Sequence, residues 1–247
     1  MSDKIHEGQR IAKVMARAGL CSRRDAERWI TDGRVSVNGK AIDSPALNVL
    51  PSDRIIVDGK PMNKEGMKQV RLFRYHKPVG LVTTHKDEEG RQTVFESLPS
   101  NLPRLISVGR LDLNTSGLLL LTNDGELSRF MELPATGWAR RYKVRAYGHI
   151  TQDRLDDLKK GVTIEGVKYA SIDAQLEKQQ GDNCWMTITL TEGKNREIRR
   201  VMEYLGLRVN RLIRLSYGPF QLGNLKEGTV EEVTQKQLKT QLGGVFK

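Results

Sequence analysis

The chain has 247 residues, 38% hydrophobic and 29% charged, a balance that supports one or two packed domains and excludes wholesale disorder. No apolar run approaches the ~18 residues of a membrane span, the mixed charges of Met1 to Arg10 exclude a secretory signal, and Cys21 and Cys184 make no disulfide framework. The expectation is a soluble cytoplasmic protein. Lys and Arg number 41 against 30 Asp and Glu, a net charge of +11, which points to a polyanionic partner such as nucleic acid.

From Gln9 to Leu20, apolar Ile11, Val14, Met15 and Ala18 recur at helical spacing, with Arg10, Lys13 and Arg17 on the other side and Gly19 at the end. Ser22 then has the character of an N-cap, with Asp25 three residues on approximating a capping box. Ala26, Trp29 and Ile30 give this second helix its apolar face, and Gly33 stops it. Val35 and Val37 form a strand before an Asn38-Gly39 turn, and Ile55 to Val57 form another before Asp58-Gly59. Residues 10–34 hold seven basic and three acidic side chains. Pattern alone leaves open whether they are a solvated helix face or a binding face.

Ala16-Arg17-Ala18-Gly19, Cys21-Ser22-Arg23-Arg24-Asp25-Ala26 and Gly33-Arg34-Val35-Ser36-Val37-Asn38-Gly39 resemble the RNA-binding domain named after ribosomal protein S-four. The resemblance spans Arg10 to Val57 and implies a helix pair that grips structured RNA, largely through its backbone. Its RNA-binding candidates are Arg10, Lys13, Arg17, Ser22, Arg23, Arg24, Arg28 and Arg34, within a domain at residues 1–61.

Residues 62–69 are polar, carry Gly66 and have no apolar period, so a linker is expected there before a larger domain over 70–247. In that domain Leu72 to Val82 suggests strand, turn and strand around Pro78 and Gly80. Leu105 to Val108, Leu118 to Leu121, Trp138 to Tyr147, Met186 to Leu190 and Leu212 to Leu215 have strand patterns. Helices are expected from Thr151 to Lys160, from Asn195 to Leu205 and from Thr234 to Leu242. Strands outnumber helices and lie close in sequence, which predicts an α+β fold around a mostly antiparallel sheet.

Three segments could carry chemistry. Between two apolar strands, Val108-Gly109-Arg110-Leu111-Asp112-Leu113-Asn114-Thr115-Ser116-Gly117 can hold the Asp112 carboxylate rigidly in a cleft, as nucleophile or base. The plainer alternative is that its polar side chains only make local turns. Arg140-Arg141-Tyr142-Lys143-Val144-Arg145 interleaves cations with a ring, which suits phosphates and a stacked base, or else protects an exposed edge strand. Between Gly193 and Arg214 lie seven basic residues against Glu197 and Glu203, and Lys194, Arg196, Arg199 and Arg200 crowd an expected helix start where the dipole disfavours cations. The four histidines are scattered, and no metal site, P-loop or dinucleotide fingerprint is present.

Taken together and in order, these segments are similar to ribosomal RNA pseudouridine synthases of the RsuA/RluB type. Gly109-Arg110-Leu111-Asp112-Leu113-Asn114-Thr115-Ser116-Gly117-Leu118-Leu119 resembles the family signature, which implies that Asp112 is catalytic. Arg141-Tyr142-Lys143-Val144 matches the segment with the active-site tyrosine, Tyr142. Glu192-Gly193-Lys194-Asn195-Arg196-Glu197-Ile198-Arg199-Arg200 matches the motif whose arginine pairs with the aspartate, a role that falls on Arg199, with Arg200 as the second choice.

The Asn195-Arg196-Glu197 form looks like the RluB branch, which acts on large-subunit ribosomal RNA. That branch often carries a long basic tail, whereas this sequence stops at Lys247. Further RNA contacts are expected from Arg110, Arg140, Arg141, Lys143, Lys194, Arg196 and Arg200. The resemblance implies isomerisation of one uridine without cofactor or metal, by a monomer acting on ribosomal RNA, free or in pre-ribosomal particles, away from membranes. Small-subunit ribosomal RNA is the alternative substrate. A non-catalytic RNA-binding assembly factor is the competing class, and a methyltransferase would need a cofactor motif that the sequence lacks.

Overall fold

The computed structural model describes residues 8–63 and 69–243. The expected linker falls largely on residues 64–68, outside the described residues. The chain forms two compact units, Met1–Val70 with Asn123–Gly125, and Arg71–Thr122 with Glu126–Lys247.

In the first unit β1 (Gln9–Arg10) leads into α1 (Ile11–Arg17) and α2 (Arg23–Thr31), followed by β2 (Val35–Val37), β3 (Lys40–Ala41), β4 (Asn48–Val49), β5 (Ile55–Val57) and β6 (Lys60–Pro61). Ser22 and Asp25 close the expected capping box at the start of α2, a device worth ~1 kcal/mol. Strands β3-β2-β5-β6 make a small antiparallel sheet. Its tight reversals place Asn38 and Gly39, and Asp58 and Gly59, at positive φ, which Asn, Asp and Gly tolerate best. Ile11, Met15, Ala26, Ile30, Val35 and Ile55 pack as one buried cluster.

The second unit runs β7 (Leu72–Lys77), β8 (Ile106–Val108), β9 (Ser116–Thr122), α3 (Gly125–Glu132), β10 (Arg140–Tyr147), α4 (Gln152–Asp156), β11 (Val162–Ile164), β12 (Val167–Tyr169), β13 (Ile172–Gln180), β14 (Asn183–Leu190), α5 (Glu197–Tyr204), β15 (Arg208–Tyr217), β16 (Phe220–Gln221), β17 (Val230–Glu232) and α6 (Gln235–Leu242). Nine of these strands form one sheet, ordered β13-β14-β10-β15-β9-β7-β17, with β8 on β9 and β16 on β15. Every pairing in it is antiparallel except β9 with β15. All seven residues of β9 are buried, as a strand covered on both faces requires.

Some sequence expectations need correction. Only β7 forms before Pro78; beyond the turn Val82 makes an isolated bridge to Thr93. The helix expected from Asn195 starts at Glu197, because Arg196 takes a left-handed conformation at φ 50°. The helix after Thr151 tightens into a 3₁₀ turn over Asp157–Lys160 before Gly161. Finally, β10 lies between β14 and β15, so edge protection cannot explain its cations.

Candidate active site

Strands β8 and β9 deliver the loop 109–115, and the rest of the second unit holds it by its backbone. Thr83 Oγ1 donates to the Leu111 carbonyl at 2.8 Å, and the Gly80 N–H donates to that of Leu113 at 2.8 Å. Lys77 Nζ donates to Asp112 O at 3.2 Å and Thr115 O at 3.0 Å, with Pro78 O as its third acceptor at 2.9 Å. Arg199 Nη2 donates to Asn114 O at 2.8 Å. Five successive carbonyls, 111 to 115, are thus fixed. Such a grip aims the Asp112 side chain without using its carboxylate. That side chain is 35% exposed, and Arg196 Nη1 lies 3.9 Å from Asp112 Oδ2.

Two arginines attend Asp112: Arg196 as an ion pair at 3.9 Å, and Arg199, which the resemblance pairs with it and whose charged form it favours. Arg199 donates to Asn114 O and, at 3.2 Å, to Val209 O. Burial lowers its pKa, nearby Arg196 lowers it further, and Asp112 opposes both. Arg196 takes a left-handed conformation at the N-cap of α5, outside its first turn.

A cleft of about 410 Å³ opens over Asp112, lined by Arg110, Thr115, Tyr142, Leu212, Arg214 and residues 192–194 and 196–199 among others. Past Arg110 it continues into a groove of about 800 Å³ beside residues 82–91. Tyr142, 9% exposed, reaches the cleft from β10, where it stands between Ile188 of β14 and Arg214 of β15.

The other expected RNA contacts divide by face. Arg110, Arg140, Lys194 and Arg196 line the cleft. Arg140 is committed to the protein: its guanidinium donates to the carbonyls of Trp138 and Thr191 and to Tyr217 Oη. Lys194 Nζ is bonded to Lys168 O and Glu192. Arg141 and Lys143 do not line the cleft, because strand alternation turns them to the opposite face from Tyr142. Arg200 is exposed on α5, also outside the cleft.

In the first unit Arg10, Arg23 and Arg24 are exposed, and Lys13 and Arg17 are half-buried on α1. Ser22 is engaged in its cap, Arg28 bonds Asp25, and Arg34 grips Asp58 while lying 4.6 Å from the Trp29 ring centroid.

Three participants escaped the sequence reading. Lys77 is fully buried, and burial brings its ammonium pKa down to about 8, against the pull of Asp112. The signal was available: Phe73, Tyr75 and Lys77 share one face of β7 by period two. Arg214 is 2% exposed, with Nε on Leu118 O at 2.7 Å and a buried Nη2 without a partner among the described residues. Glu197 is 4% exposed; burial, aided by the Glu192 charge, pushes its carboxyl up to about 7, while its bond from the Lys194 N–H opposes this.

Comparison with known proteins places the chain in a family. Residues 71–204 match the RNA pseudouridylate synthase family, and residues 9–55 match the S4 domain. An uncharacterized RNA pseudouridine synthase of Rickettsia felis is 51% identical over 94% of this chain and 99% of its own length. A ribosomal large subunit pseudouridine synthase B of Yersinia pestis is 43% identical over 87% of this chain and 69% of its own. The fold also superposes on a crystal structure of a pseudouridylate synthase, with a TM-score of 0.64 and 26% identity, covering 93% of this chain and 98% of that one. The chain belongs to the RNA pseudouridine synthase family and joins an RNA-binding S4 domain to an isomerase domain.

Proposed function

We propose that the protein converts one uridine of large-subunit ribosomal RNA to pseudouridine, with Asp112 as the catalytic carboxylate. The observation that carries this reading is the Asp112 loop, whose carbonyls from Leu111 to Thr115 are held while the carboxylate faces the cleft beside Arg196. Arg196 neutralises the carboxylate, and Arg199 and Lys77 position it through the loop backbone. The target base leaves its stack to enter the cleft. Asp112 then acts on the ribose, by attack at C1′ or by removal of the C2′ proton, and either route frees the uracil. The ring turns and bonds to C1′ through C5, displacing Asp112 in the first route or with Asp112 returning the proton to C2′ in the second, and then loses the C5 proton while N1 gains one. Reactant and product are isomers. Tyr142 stacks on the uracil and assists loss of the C5 proton.

The large-subunit target is supported by the names of the RluB relatives and by the Asn195-Arg196-Glu197 sequence. The reading extends to a cytoplasmic monomer whose S4 domain cations position the RNA. Its test is to treat unmodified large- and small-subunit transcripts and map pseudouridine along each. A single new site in the large-subunit RNA is expected, and a site only in the small-subunit RNA overturns the choice of substrate. Uridine deuterated at C2′ separates the two routes, since only proton removal gives a primary isotope effect.

A further inference from the structure

The face of the large sheet turned away from the cleft carries a second cationic surface. Along β10, Tyr142, Val144 and Ala146 are buried, while Arg141, Arg145 and Tyr147 are exposed and Lys143 is half-buried. Register places Lys178 of β13, Trp185 of β14, Arg145 of β10 and Arg211 of β15 in one row. At the usual inter-strand distance the row spans ~14 Å. Neighbouring rows add Lys143, beside Thr187, and Tyr147, beside Arg208. Lys143 and Arg145 approach the Trp185 ring centroid at 5.7 and 6.0 Å, and Arg208 approaches that of Tyr147 at 5.5 Å. Acids on this face include Glu177, bonded to Lys143 and Thr187, Asp173, and, farther along the sheet, Glu231, bonded to Arg74.

Two features have no counterpart among the described residues. Arg145 and Arg211 stand directly opposite each other, and like charges so placed destabilise a sheet. Moreover, β10, β14 and β15 are interior strands, so these cations guard no edge. A polyanion laid across the row would relieve the repulsion, and half-buried Trp185 supplies an aromatic ring for a base to stack on.

We infer that this outer face binds a single-stranded stretch of the substrate RNA that flanks the target, with a base on Trp185 and phosphates on Lys178, Arg145, Arg211 and Arg208. The inference rests on RNA as the substrate and not on which ribosomal subunit supplies it.

The test uses the full chain and unmodified full-length large- and small-subunit RNA transcripts. It compares wild type with Arg145→Gln/Arg211→Gln and with Trp185→Leu. The double variant should weaken binding to the transcript that the wild type modifies by ~10-fold, and flatten log Kd against log salt by ~1.4 for two lost single-strand phosphate contacts. Trp185→Leu should weaken binding by at least ~5-fold with the salt slope unchanged. A charge-matched control on α6, Lys236→Gln/Lys239→Gln, should leave both quantities at wild type. Removing the facing arginines relieves their repulsion, so the double variant should melt no lower than wild type, which separates lost binding from lost fold. Wild-type Kd and slope in the double variant would overturn the inference, as would an equal loss in the α6 control. If neither transcript is modified, the same Kd comparison on both still decides it, separately from the choice of target.

Discussion

Lys77 has three ammonium hydrogens and three carbonyls to receive them, those of Pro78, Asp112 and Thr115. A free amine has two. Since burial brings its pKa to about 8, the loop loses one bond above that pH, and activity should show an alkaline limb near pH 8. Stability moves the other way: between about 8 and the ordinary 10.5 the unfolded chain holds more protons than the folded one, so this group's penalty fades as pH rises. Lys77→Met should abolish the limb, lower kcat more than KM, and cost ~1–3 kcal/mol in thermal melts, because three carbonyls lose their donor. Glu197 gives the opposite stability trend. Its carboxyl is raised from 4.5 to about 7, so across that window the folded chain holds more protons and stability falls as pH rises. Glu197→Gln should flatten this part of the pH profile and raise Tm at pH 8, by ~2–4 °C for each kcal/mol recovered.

At the scale of elements, the parallel contact between β9 and β15 fixes the cleft, and it depends on Gly117. That residue has φ +105°, and a Cβ there would run into the backbone of Arg214. Gly117→Ala should therefore cost ~3 kcal/mol or more, seen as a fall in Tm, with Arg214 displaced from the cleft. Features decided locally were legible in the sequence: the Ser22–Asp25 cap, the Asn38-Gly39 and Asp58-Gly59 reversals, and the alternation of β10. Elements whose partners lie far away were not. β13 reads as polar because most of its residues face solvent, and α3 opens on a glycine and buries only Leu127, Ser128 and Met131. The ion pair of Arg196 with Asp112 belongs to the same group: it depends on the left-handed turn at Arg196, which only the folded chain reveals. Alternation located Tyr142 correctly as part of a strand, yet not the separation of its neighbours Arg141 and Lys143 onto the other face, which needs the position of the core.

For the whole molecule, the net charge of +11 bears on association rather than on the fold. If six or more phosphates are neutralised on binding, affinity for ribosomal RNA should fall ~10³-fold or more between 50 and 200 mM salt, read by filter binding. Among the described residues no helix is long and apolar enough to cross a membrane. Binding alone would equally suit an assembly factor, so chemistry at Asp112 is the claim that separates the two classes. The measurement is tritium release from ribosomal RNA labelled at uracil C5, with wild type and Asp112→Asn side by side. The wild type should release one equivalent per large-subunit RNA, and the variant should be slower by ~10⁴-fold or more with RNA affinity retained. Release by Asp112→Asn at a rate near wild type would contradict that claim.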